Sequence, residues 1–134
     1  MNDITSYMLE QTKKILSIDS PTGFTAHAAE YVLGAYKKLG YDAKLTNKGG
    51  IFVCVNDGPD QADDPADAPI LLEAHMDTLG GMVCSINEKG RLMLSALGGM
   101  NPNNAEAENC RVYTRSGKVY SGTFQLKNAS IHVN

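Results

Sequence analysis

The apolar residues of this 134-residue chain repeat at helical spacing only as far as Leu39 and at strand spacing beyond it, and this change of period most narrows the folds open to it. Placed at 100° per residue, Ile4, Tyr7, Met8, Ile15 and Ile18 fall within an arc of about 100°, which predicts a helix from Thr5 to Ile18 with a core-facing stripe. Ser20-Pro21-Thr22-Gly23 then breaks the pattern. A second helix is expected from Thr25, as its N-cap, to Leu39, where Gly40 supplies a left-handed stop. Its stripe is Ala28, Val32, Ala35, Tyr36 and Leu39, so His27 falls with Glu30, Lys37 and Lys38 on the solvent side.

From Tyr41 apolar and polar residues alternate, and Asn47-Lys48-Gly49-Gly50 turns the chain back into Ile51–Val55, which predicts a hairpin. The stretch Asp57–Pro69 carries five Asp, three Pro and no basic residue, a composition that buries nothing and reads as an exposed loop. It lacks the D-x-D-x-D-G spacing of a calcium loop. Ile70-Leu71-Leu72-Glu73-Ala74 is a short, nearly continuous apolar run, the pattern of a strand buried on both faces in the middle of a sheet. It ends in His75-Met76-Asp77. Residues two apart on a strand point the same way, so His75 and Asp77 are expected to project together from the strand end, where open α/β sheets bind their ligands.

After Gly80-Gly81 four short runs, Met82–Ile86, Arg91–Leu97, Arg111–Thr114 and Val119–Phe124, are separated by glycine-containing turns with no helical pattern among them. The expected fold class is therefore α/β over residues 1–79, followed by a small β domain over 80–134. Charge excludes some partners. Twelve basic against fifteen acidic residues leave −3, and no basic cluster exceeds the pairs Lys13-Lys14 and Lys37-Lys38, which argues against nucleic acid. No apolar stretch approaches the ~20 residues a membrane helix needs, and no export signal is visible. Cys54, Cys84 and Cys110 lie singly among alternating apolar residues, where reduced thiols of a cytoplasmic protein would pack as small hydrophobes.

The candidate chemistry rests on His75 and Asp77. A metal-ligating imidazole is usually held in one tautomer by a carboxylate on its other nitrogen, and the pair supplies both parts. With nine Asp in the sequence, some His followed two places later by Asp arises by chance in about one such chain in five, so the pair alone says little. Its surroundings say more. Ser20-Pro21-Thr22-Gly23-Phe24, Ala74-His75-Met76-Asp77 with Gly80, Met82 and Val83, then Asn87–Leu92, Leu97-Gly98-Gly99 and Ser116–Gly122 form an ordered set. At these residues the chain resembles the dinuclear-metal aminopeptidase family that includes glutamyl aminopeptidase, deblocking aminopeptidase, the tetrahedral aminopeptidases and proteins once labelled endoglucanase M. The resemblance runs from about residue 4 to His132.

That resemblance implies a zinc-peptidase-like α/β catalytic domain interrupted by a PDZ-related β domain serving dimerisation and larger assembly. His75 would be a ligand of one of two divalent metal ions, zinc or cobalt, and Asp77 would orient His75 in catalysis. Peptide would be the substrate, hydrolysed from its N-terminus by a metal-activated water. Many members read D-E-I-G-F-M where this chain reads Asp77-Thr78-Leu79-Gly80-Gly81-Met82. His-x-Asp-Thr is shared with a related metal-dependent carboxypeptidase and deacylase family, which usually continues with prolines instead.

The resemblance also implies a bridging Asp, a Glu pair whose first member is the base, another acidic ligand and a late His, and no residue after Asp77 fits these roles. Glu88 belongs to a hairpin turn, Glu106 and Glu108 to an Asn-rich loop, and His132 stands beside Ile131 and Val133. The expectation is an N-terminal fragment of a longer enzyme, metal-free and inactive alone. Its partner would be the remaining C-terminal part of that enzyme or further copies in a homo-oligomer. A different class of reading is a free-standing β-rich module that offers an open strand edge to a partner chain.

Overall fold

The computed structural model describes residues 3–55 and 70–127. The chain has mixed helix and strand and divides into two compact units, Met1–Thr78 and Leu79–Asn134. The acidic stretch read as an exposed loop, and His132, lie outside the described residues.

In the first unit α1 spans Asp3–Leu16 and α2 spans Ala26–Lys38. Asp3 in the first turn of α1 and Lys13 and Lys14 in the last complement the helix dipole, and Glu10 pairs with Lys14 one turn on. The stripe expected to face a core does so only at its C-terminal end. Ile15 and Ile18 are half-buried, whereas Ile4, Tyr7 and Met8 are exposed, and α1 buries no residue fully. The helix also stops at Leu16 instead of Ile18, because Ile18 N–H returns to Ile15 in a tighter closing turn.

The end of α2 follows the sequence closely. Gly40 takes φ +91°, Gly40 N–H bonds Lys37 O at 3.0 Å and Tyr41 N–H bonds Tyr36 O at 3.2 Å. This crossed pair is a Schellman stop, and the edge-to-face contact of Tyr36 with Tyr41, centroids 6.1 Å apart, is its apolar clasp. At the other end Thr25 occupies the N-cap position, yet its hydroxyl makes no capping bond. His27 is exposed as expected and meets Phe24 edge-to-face at 5.9 Å. Tyr31 Oη donates to Gln11 Oε1 at 2.6 Å and ties α2 to α1. Among the described residues the fully buried apolar ones are Ala28, Ala29 and Ala43, a core of three methyl groups.

The hairpin follows as β1, Lys44–Leu45, and β2, Ile51–Phe52, antiparallel with Lys44 opposite Phe52. Thr46 closes it, accepting Gly50 N–H on its hydroxyl at 3.0 Å.

Residues 70–74 are not a strand. Ile70, Leu71 and Leu72 are 88, 69 and 90% exposed, so the expected buried central strand is corrected to an uncovered segment outside any strand. A strand exists through its ladder. β1 and β2 pair only with each other, and the described residues give this run no pairing partner until the parallel bridge of Thr78 with Pro21.

The second unit holds two antiparallel hairpins. β3, Gly80–Ile86, pairs with β4, Leu92–Leu97, across a turn in which Asn87 Oδ1 accepts Lys89 and Arg91 N–H at 3.0 and 2.9 Å. The register slips between Val83 and Ser85, which leaves Cys84 as the extra residue of a bulge. β5, Asn109–Tyr113, pairs with β6, Val119–Thr123, around a turn closed by Thr114. Between the hairpins α3, Pro102–Ala105, occupies part of the Asn-rich loop where no helix was expected, capped by Asn101 Oδ1 receiving Asn103 N–H at 3.0 Å. The three cysteines are thiols, and the expectation that all pack as small hydrophobes is corrected. Cys110 alone is half-buried, against Gly122, where an added Cβ would stand 3.2 Å from its sulfur, while Cys54 and Cys84 are exposed.

Candidate metal-binding segment

The segment 74–78 is held from one side by the loop between the helices. Ser20 is 1% exposed, its Oγ donates to Met76 O at 2.8 Å, and its carbonyl accepts Thr78 N–H at 2.8 Å. Pro21 and Thr78 form the parallel bridge already noted. Met76 and Thr78 flank Asp77, so these bonds fix the backbone on both sides of the carboxylate. Thr22 then reaches the side chain itself, donating from Oγ1 to Asp77 Oδ2 at 2.7 Å. Asp77 is held below the usual carboxylate range, first by that hydroxyl and then by the neighbouring His75, with partial burial opposing them.

His75 and Asp77 come together as the alternation argument expected, although no strand carries them. His75 Nδ1 lies 3.1 Å from Asp77 Oδ1 and 3.0 Å from Asp77 O. A carbonyl oxygen and an ionised carboxylate oxygen only accept, so Nδ1 is the nitrogen that carries a proton, and in the neutral ring this leaves the lone pair on Nε2. Nε2 is then a lone-pair donor, on a side chain 86% exposed. Asp77 side-chain exposure is 38%. One imidazole is thus set in the tautomer that ligates through Nε2, with a carboxylate behind it.

Among the described residues no group of three or more His, Cys, Asp or Glu could hold a metal ion. The donor chemistry of His75 fits one ligand position, and the remaining positions need groups from outside these residues. Glu106, weighed and set aside in the sequence, has a structural partner, since its Oε2 accepts Leu126 N–H. Two concavities lie away from His75 and Asp77. One of about 540 Å³ lies between α1 and α2, and one of about 990 Å³ lies within the second unit, lined by residues of both hairpins.

A sequence model of the M42 glutamyl aminopeptidase family matches residues 50–134, more than half of the chain. The chain belongs to that family. It is 36% identical over 125 residues to the putative aminopeptidase YhfE of Bacillus subtilis, covering 93% of this chain and 34% of that protein. It is 32% identical over 112 residues to the glutamyl aminopeptidase of Lactococcus lactis, covering 83% of this chain and 30% of the other. The M42 chain thus spans about a third of the length of these curated relatives. The matched family is one of peptidases, whose members are in general metal-dependent. No helix of the described residues is long and apolar enough to cross a membrane.

Sequence reasoning missed Ser20 and Thr22. It took Ser20–Gly23 as a helix break and as a loop shared with a family, and nothing local reveals that two hydroxyls there meet a segment 55 and 56 positions away. The available signal was the density of hydrogen-bonding residues around a Pro-Thr-Gly turn.

Proposed function

We propose that this chain is the N-terminal part of a metal-dependent aminopeptidase that removes residues from the N-terminus of peptides. The observation that carries the reading is the His75–Asp77 pair, set in a ligating tautomer within a chain of the M42 family. His75 Nε2 would be a ligand of one of two divalent ions, zinc or cobalt, and Asp77 would hold the ring. When bound, such ions lower the pKa of a water and polarise the scissile carbonyl. What these residues contribute is an imidazole held through Nδ1 by Asp77, which leaves Nε2 for a metal ion.

Residues 1–79 belong in this reading to the α/β catalytic domain and residues 80–134 to a PDZ-related dimerisation domain. The family match takes in the whole second unit, which favours a built-in part of the peptidase over a free-standing interaction module. It likewise favours the aminopeptidase over the carboxypeptidase and deacylase alternative. The protein works in the cytoplasm as a homo-oligomer. The 134 residues alone are inactive in this reading, because among the described residues no group of ligands could hold a dinuclear centre.

In a longer chain that completes the site, His75→Ala lowers release of N-terminal residues from aminoacyl-anilide substrates by about 100-fold or more, judged by what metal-site ligands and their partners contribute. Unchanged activity in that variant would sink the reading. Stoichiometric zinc or cobalt together with amino-acid release from the purified 134-residue chain would sink its inactivity.

A further inference from the structure

Thr22 stands where it can control His75 without touching it. A carboxylate on a short side chain can rotate and exchange its two oxygens, and during each exchange His75 Nδ1 would keep only the Asp77 backbone carbonyl, 3.0 Å away. In Asp77 the oxygens have separate partners: Oδ2 receives Thr22 Oγ1 at 2.7 Å and Oδ1 faces His75 Nδ1 at 3.1 Å. Rotation breaks both contacts at once. The hydroxyl is itself well placed to act as a fixed point. Phe24 N–H bonds Pro21 O at 2.7 Å, and Gly23 at φ +86° is the left-handed third residue that a type II turn requires. The turn is docked on the segment it serves through Ser20, whose two bonds grip Met76 and Thr78 on either side of Asp77.

We propose that Thr22 is a positioning residue for His75: by holding Asp77 Oδ2 it aims Oδ1 at the ring and keeps the Nε2 lone pair presented to a metal ion. The proposal rests on the peptidase reading for its purpose, but the geometry is a property of the chain without metal or peptide. The test therefore uses neither. Histidine is labelled with nitrogen-15 in the 134-residue chain, and the two ring nitrogens of His75 are observed at about pH 8, where an ordinary imidazole is neutral. The wild-type ring is expected to be mainly in the Nδ1–H tautomer.

Thr22→Val and Thr22→Ala lower the ratio of the Nδ1–H to the Nε2–H tautomer by about fivefold, the value of one ordinary hydrogen bond. Thr22→Ser, which keeps the hydroxyl, restores it. The amide resonances of Thr78 and Phe24 report whether the turn is still docked, and whichever hydroxyl-free variant retains them is the one that counts. An unchanged tautomer ratio in that variant, or a failure of Thr22→Ser to restore the ratio, overturns the positioning role. Neither result bears on the peptidase reading, which stands or falls with His75→Ala in the activity assay.

Discussion

Residues 70–72 and residues 76–78 are a few positions apart, and the structure treats them oppositely. Ile70, Leu71 and Leu72 are the most hydrophobic run in this part of the chain and lie open to solvent, while Met76, Asp77 and Thr78 are gripped by Ser20, Pro21 and Thr22. The difference is one of how many neighbours each kind of interaction requires. A hydrogen bond is complete with one well-aimed partner, and a single loop supplies several. Burial of a leucine needs cover on every side, typically from six or more residues, and a strand needs a ladder as well. The polar end of the segment can therefore take its final geometry while the apolar end awaits cover. In a longer enzyme of the family, the same apolar run would be the part that changes its surroundings most.

Within the 134-residue chain the largest effect should come from breaking the grip at its buried point. Ser20→Ala removes a donor at 1% exposure and leaves Met76 O without its partner, a loss of about 1–3 kcal/mol in the local structure. Hydrogen exchange at the Thr78 amide is the direct measurement, since that amide bonds Ser20 O, and it should speed up by about tenfold or more. Exchange at the wild-type rate would mean that the loop is held by something other than this hydroxyl.

Next is a control placed away from the segment. Gly40→Ala puts a Cβ at φ +91° in the Schellman stop and costs about 1 kcal/mol, read as faster exchange at the Gly40 and Tyr41 amides. The Thr78 amide should be unaffected, because the stop and the grip share no partner. Coupled changes at both would show that the first unit opens as one piece.

Much of this could be read from the residues, and the reason differs from place to place. Gly40, the Asn47–Gly50 turn and the Asn87–Arg91 turn were legible because a left-handed glycine or an Asn accepting its own neighbours' N–H groups is a local requirement. His75 and Asp77 facing each other was also legible, since two side chains two positions apart can meet without a ladder. The strand at Ile70–Ala74 and the inward stripe at Ile4, Tyr7 and Met8 were misplaced for one cause. Hydrophobic patterning states what a segment would bury, and the described residues of this chain do not cover it. The turn of helix at Pro102–Ala105 is too short to carry any periodicity, and only Asn101 with the following proline announced it.

The uncovered side gives a sharper version of the comparison. Leu72→Ser, at a side chain 90% exposed, should alter the stability of the 134-residue chain by no more than about 0.5 kcal/mol. In a longer chain that buries the run, the same change should cost about 2–5 kcal/mol, as large core residues do when truncated. Urea unfolding of the two proteins side by side makes the measurement. A large loss already in the 134-residue chain would mean that Leu72 is covered in solution, and the contrast with Ser20 would fail.

The smallest expected effect lies in the exposed ion pair of α1, which contrasts a surface contact with the buried grip. Glu10 is held below its ordinary value, first by the hydrogen bond from Lys14 and then by the Lys14 charge, and Lys14 is raised by the same two causes in the same order. The signs give two edges. A lowered Glu10 contributes stability that is present above its unfolded value of about 4.5 and lost as pH falls through its lower folded value. A raised Lys14 contributes stability that is present below about 10.5 and lost as pH rises through its higher folded value. Both groups are solvated and screened, so the change in helix content should be slight and should shrink further in added salt. Glu10→Gln removes the titration that causes the acidic edge, and circular dichroism of α1 helicity against pH, wild type beside variant, isolates it from the other carboxylates. If the wild type lost helix while the Ser20–Thr78 amide stayed protected, the two kinds of contact would be shown to act independently, because Ser20, Thr22 and Thr78 carry no ionisable group. If the Thr78 amide lost protection at the same pH in Glu10→Gln as well, Asp77 and not the helix pair would be the group that sets the acid limit of the first unit.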